Sequence, residues 1–202
     1  MKTGRLEAFS DGVVAIIITI MVLEMKAPAR APHLSDLRPV IPVFISYVLS
    51  FVNVGIYWNN HHHLLHMARR VNGGILWANL HLLFWLSLVP FVTAWMGENH
   101  FAPTPTALYG VVLLMAGAAY SILTWTILRM GGRASALAAA IGKDFKGKAA
   151  LTLYAIAIPL AFVSSWIAGG LFVAVALMWL IPDRRIERAI AKDCAEQSRD
   201  RG

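Results

Sequence analysis

Apolar residues run through this chain in long blocks separated by short polar breaks. A bilayer span needs about 20 mostly apolar residues, and blocks of that size fall at about 8–26, 40–62, 74–97 and 106–129. A further block, 149–182, is about twice as long as one span. Ser164, Ser165, Gly169 and Gly170 lie near its middle. Serine and glycine mark a turn, which divides the block into about 149–164 and 168–182. The pattern predicts an all-α membrane protein with six transmembrane helices over residues 1–182, then a short polar tail, 183–202. Pro90 and Pro159 fall inside spans, where proline removes a backbone donor and kinks the helix. Between Met130 and Lys148, the alanine-rich run Ala134 to Ile141 suits a short interfacial helix.

Composition supports this reading. The chain is 58% hydrophobic and 14% charged, against about 45–50% and roughly 25% in soluble domains. The net charge of +7 does not point to nucleic acid, because the bases gather at the ends of spans. With six spans, 15 of the 18 Lys and Arg residues fall on the side that holds both termini. Only Lys26, Arg30 and Arg38 fall on the other. The positive-inside rule then places both termini in the cytoplasm, and an odd helix count would destroy the asymmetry. Cys194 is the single cysteine, so an intrachain disulfide is impossible and the residue reads as a free thiol. Lys2 and Arg5 before an apolar run resemble a signal peptide, but Asp11 and Glu24 interrupt or border that run. An uncleaved first transmembrane helix is the better reading.

The start of that helix carries the densest chemistry. Arg5, Ser10 and Asp11 crowd the mouth of an apolar segment, Gly12 to Met25. Ionisable groups at membrane depth are costly and usually face a bundle interior, a partner or a water-filled path. Behind them, Ile16, Ile20 and Leu23 recur at i, i+4 and i+7, which is one helix face. A polar mouth leading to an apolar stripe suggests a pore-lining helix with a hydrophobic constriction.

Further stretches complete a pattern. Tyr47-x-x-Ser50-Phe51 lies in the second span, Tyr57-Trp58-Asn59-Asn60-His61-His62 closes it, and Leu88-Val89-Pro90-Phe91 lies in the third. Together with Arg5-x-x-x-Phe9-Ser10-Asp11, these resemble the transmembrane protein 175 family of potassium channels in its prokaryotic branch. The resemblance is strong over about residues 5–130 and rests on hydropathy alone in the last two helices. It implies a homotetramer in a prokaryotic inner membrane, with helix one of each subunit lining the pore. It implies a potassium-preferring cation channel without a carbonyl filter, and no Thr-Val-Gly-Tyr-Gly string occurs here. It places the constriction on Ile16, further apolar rings on Ile20 and Leu23, and a pore-lining hydroxyl on Thr19. It assigns Arg5, Ser10, Asp11, Trp58 and His61 or His62 to a structural polar network at the cytoplasmic mouth, with Asn60 in the same run.

An apolar ring can still discriminate between ions. A narrow greasy constriction dewets and gates conduction. An ion crossing it sheds part of its water shell, and potassium holds its water less tightly than sodium. His62 and His66 share a helix face at i, i+4, but few acids from nearby spans are placed to complete a zinc site. No metal site is therefore expected beyond potassium in the pore, and no cofactor. His81, inside helix three, reads as a buried, hydrogen-bonded histidine. No nucleophile–base pair or phosphate-binding loop occurs, so the chain does not read as an enzyme. Two rival readings use the same residues: a proton- or cation-coupled secondary transporter through Asp11 and the histidines, and a membrane-embedded metal-binding enzyme.

Overall fold

The computed structural model describes residues 3–28, 32–66, 68, 71–130 and 145–180. The tail 183–202, the segment 134–141 and Cys194 lie outside the described residues. All regular structure among those described is helical: α1 (Thr3–Leu23), a 3-10 segment (Leu34–Val40), α2 (Ile41–His66), α3 (Gly73–Ser87), α4 (Val89–Glu98), α5 (Pro103–Met130), α6 (Phe145–Leu160) and α7 (Ser165–Leu180). Among the described residues, four stretches are long and apolar enough to cross a membrane: Thr3–Leu23, Leu34–His66, Gly73–Glu98 and Pro103–Arg129. The third of these contains both α3 and α4, so the seven helices make six rods.

The break between α3 and α4 has a specific cause. Pro90 occupies the first turn of α4, where its missing N–H costs nothing. The same ring cannot continue the hydrogen-bond ladder of α3, so α3 ends at Ser87 and Leu88 caps it. Ser87 Oγ donates to the Phe84 carbonyl at 2.7 Å, satisfying an acceptor that the break releases. At the other end of α3, the Asn72 side chain accepts from the Ile75 amide at 2.9 Å, a side-chain N-cap. Pro159 stands one residue before the end of α6 and so accompanies its termination. It does not kink a continuing helix.

α6 and α7 have 16 residues each, about 24 Å at 1.5 Å per residue, short of the roughly 30 Å hydrocarbon layer. Phe162 and Val163 in their connecting turn and Trp166 in the first turn of α7 are exposed. Such apolar and aromatic tips suit burial at a membrane interface. α5 is central and packs on α3, α4 and α6, while α6 packs on α7. Its buried face includes Ala107, Ala116 and Ala119, small residues that let membrane helices approach closely. α1 lies against α2, α3 and α4.

Inside the bundle a hydroxyl cluster joins three helices. Ser50 of α2 lies 2.7 Å from Thr93 Oγ1 of α4 and 3.1 Å from the Tyr109 hydroxyl of α5. All three residues are buried. Polar side chains in apolar surroundings hold helices together by satisfying one another.

Candidate functional site

α1 starts at Thr3, several residues before the apolar run. Ser10 and Asp11 therefore lie within the helix and are not its N-caps. The helix has two distinct faces. Leu6, Ser10, Val14, Ile17 and Met21 are buried against the bundle. On the other side Ile16 is 60% exposed, Ile20 40% and Leu23 71%. Thr19 is also exposed, and its hydroxyl donates to the Ala15 carbonyl at 2.8 Å. An exposed apolar stripe is thus set opposite a packed one.

The polar mouth forms where α1, α2 and α3 meet. Ser10, fully buried, donates to the Leu6 carbonyl at 2.9 Å and accepts from Asn79 Nδ2 at 3.0 Å. Asn79 Oδ1 lies 2.6 Å from His61 Nε2. Because the amide nitrogen is committed to Ser10, its oxygen faces the imidazole, and His61 carries its proton on Nε2. This line of bonds fastens α1 to α3 and α3 to α2. Beside it, Trp58 Nε1 donates to Asp11 Oδ1 at 3.0 Å. One turn earlier on α1, Glu7 Oε1 faces His62 Nδ1 at 2.8 Å and His66 Nε2 at 3.3 Å. The His62 ring stacks on Trp58, with centroids 6.2 Å apart.

The structure thus gathers Ser10, Asp11, Trp58, His61 and His62 at one mouth. Arg5 is exposed and makes no ion pair among the described residues. Asn60 stands apart from the group. Its side chain donates to the Ile56 carbonyl of its own helix at 2.8 Å, and its carbonyl accepts from Tyr120 at 3.3 Å. His81 is half-buried and accepts from Trp85 Nε1 at 3.0 Å, so it is bonded as expected but less buried.

Two members of the mouth were not singled out from the sequence. Asn79 is an amide inside the apolar run from Ile75 to Leu86, and a lone amide in a span signals a partner on another helix. Glu7 stands four residues before Asp11, on the same helix face.

The apolar spans of the bundle define a multi-pass helical membrane protein, with a polar cluster where α1, α2 and α3 meet. A family model described as "Endosomal/lysosomal potassium channel TMEM175" matches residues 5–90, the stretch that carries every mouth residue named above. A protein named as a potassium channel in Chryseobacterium sp. (strain P1-3) is 53% identical over 193 residues, covering 96% of this chain and 100% of its own length. Another so named, from Chamaesiphon minutus, is 30% identical over 194 residues, covering 89% and 94%. The crystal structure of a lysosomal potassium-selective channel TMEM175 homolog from Chamaesiphon minutus superposes with a TM-score of 0.77 at 28% identity, covering 89% of this chain and 96% of that one. The chain belongs to the TMEM175 family.

Proposed function

We propose that this chain is the subunit of a potassium-preferring cation channel whose pore is lined by α1. The carrying observation is the exposed apolar stripe of Ile16, Ile20 and Leu23, opposite the face that α1 buries in its own bundle. Family membership supports the permeant ion, potassium, and argues for a passive channel over a coupled transporter or an enzyme. The chain needs no cofactor in this reading. Four subunits surround the axis in a bacterial inner membrane, with both termini in the cytoplasm as the distribution of Lys and Arg indicates.

Ile16 is the narrowest ring. It lies five residues beyond Asp11, about 7.5 Å deeper along the helix, past the polar mouth. Its β-branch restricts χ1, so the ring is stiff. Ile20 and Leu23 continue the apolar wall, and Thr19 presents an oxygen to a partly dehydrated ion. Selectivity arises because potassium gives up water more readily than sodium. Ser10, Asp11, Trp58 and His61 hold α1 in register and do not carry ions.

Reversal potentials under bi-ionic potassium and sodium test this reading. Ile16→Asn places amides at the ring, replaces lost hydration, raises conductance and lowers the preference for potassium severalfold. Ile16→Leu keeps an apolar ring and changes the preference far less. An Ile16→Asn channel with wild-type conductance and reversal potential would place the constriction elsewhere on α1.

A further inference from the structure

Glu7, His62 and His66 are not needed for the line of bonds that secures α1, yet they converge. One ligand atom from each lies within 4.8 Å of the others. His62 and His66 are one helical turn apart on α2, and their rings meet edge to face at 4.4 Å. Glu7 comes from the first turns of α1 and offers the same oxygen, Oε1, to both imidazoles. We infer that these three side chains form a binding site for a divalent transition metal of the zinc class, which clamps the start of α1 to the end of α2.

The chemistry of the donors favours this ion. Two imidazoles and one carboxylate are an established zinc set, with a fourth position open to water. Bonds of 2.0–2.2 Å in a tetrahedron put ligand atoms about 3.3 Å apart. Glu7 Oε1 and His66 Nε2 already stand 3.3 Å apart. The Glu7–His62 pair, at 2.8 Å, has to open by about half an ångström. The exposures permit the adjustment: the side chains of His62 and His66 are 38% and 61% accessible, while Glu7, at 17%, is held in place. Trp58 stacked on His62 fixes one ring plane. Magnesium, which prefers oxygen ligands and keeps its waters, is a poor match. Glu7 supplies the acid that two histidines one turn apart need to complete a three-ligand set. The binding does not depend on the channel reading.

Full-length protein in detergent, free of any polyhistidine tag, is titrated calorimetrically with zinc chloride and with magnesium chloride. One zinc per chain is expected, with no magnesium heat and a higher unfolding temperature in the presence of zinc. Glu7→Gln and His66→Ala should each weaken zinc binding at least tenfold. His63→Ala, on an exposed neighbour outside the cluster, should leave it unchanged. His66 is exposed, so its variant retains the fold and decides the matter if Glu7→Gln does not. The assignment is overturned by wild-type zinc binding in His66→Ala, by an equal loss in His63→Ala, or by no zinc binding at all.

Discussion

Asn79 has more consequence than any other single side chain at the mouth, because it alone bonds both Ser10 and His61. Replacing it with a residue of similar volume and no polarity leaves His61 Nε2 without its partner and leaves Ser10 only its bond to the Leu6 carbonyl. A buried group without a partner costs about 1–3 kcal/mol. Asn79→Leu should therefore lower the unfolding midpoint in detergent clearly. Asn60→Leu should lower it far less, because the Asn60 amide donates only to a carbonyl of its own helix. Equal losses from the two would mean that the Ser10–Asn79–His61 line holds nothing together. The contrast also shows how much of the site was legible in the sequence. Ser10 and Asp11 stood out because polar groups at the start of an apolar run are conspicuous, whereas Trp58 and the choice of His61 or His62 came through the resemblance to the TMEM175 family. Asn60 shares their neighbourhood in sequence, but its position on α2 turns it toward α5 and away from α1. Asn79 was obscured by its apolar neighbours, and Glu7 by its place in the polar lead-in, where an acid needs no special reason. Which helix a side chain faces is decided by packing between helices, and local spacing carries little of that information.

Among the helices, the sharpest constraint is the approach of the end of α4 to the start of α2. A Cβ at Gly97 would lie 2.5 Å from Ser46 Oγ and 2.7 Å from the Val43 Cα. The second contact is backbone, so no rotamer change relieves it. Gly97→Ala gains about 1 kcal/mol of helix propensity but meets an overpacking cost of about 1–3 kcal/mol, and separation of the two helices adds to it. Gly55, in the middle of α2, has nothing within 4 Å of its missing Cβ. Gly55→Ala should raise the unfolding temperature and Gly97→Ala should lower it. Stabilisation by both would show that α4 and α2 are not so closely packed. At this scale hydropathy predicts the rods well, because a span must be apolar along its whole length. It predicts their ends poorly. α1 begins five residues before the expected 8, and α2 runs to His66 past the expected 62. A helix continues into polar sequence wherever its backbone groups remain bonded to one another. The division of the third rod follows from Pro90, whose ring stops one helix and starts the next.

At the scale of the whole molecule, the channel reading needs the exposed face of α1 to meet its copies in neighbouring subunits. Alongside it runs a groove of about 730 Å³ between α1 and α4, with Ile16, Ile20, Phe91 and Trp95 in its walls and Glu24 and Glu98 toward one end. Lipid tails are as apolar as leucine, so exposure to lipid would carry no penalty for these residues. Proximity between copies separates a lipid-facing α1 from a central one. If α1 lines a fourfold axis, Ile20 of one subunit lies close to Ile20 of its neighbours. Ile18 is turned 200° from Ile20, at about 100° per residue, and packs against its own subunit's core. In a background of Cys194→Ser, Ile20→Cys should form disulfide-linked dimers rapidly under mild oxidant, and Ile18→Cys should remain monomeric. A reagent that couples lysines should give a ladder ending at four subunits for both variants, which establishes that assembly is intact in each. Equal cross-linking at the two positions, or none at Ile20 in an assembled tetramer, would remove α1 from the axis. The ion path would then have to be sought along another helix of the bundle.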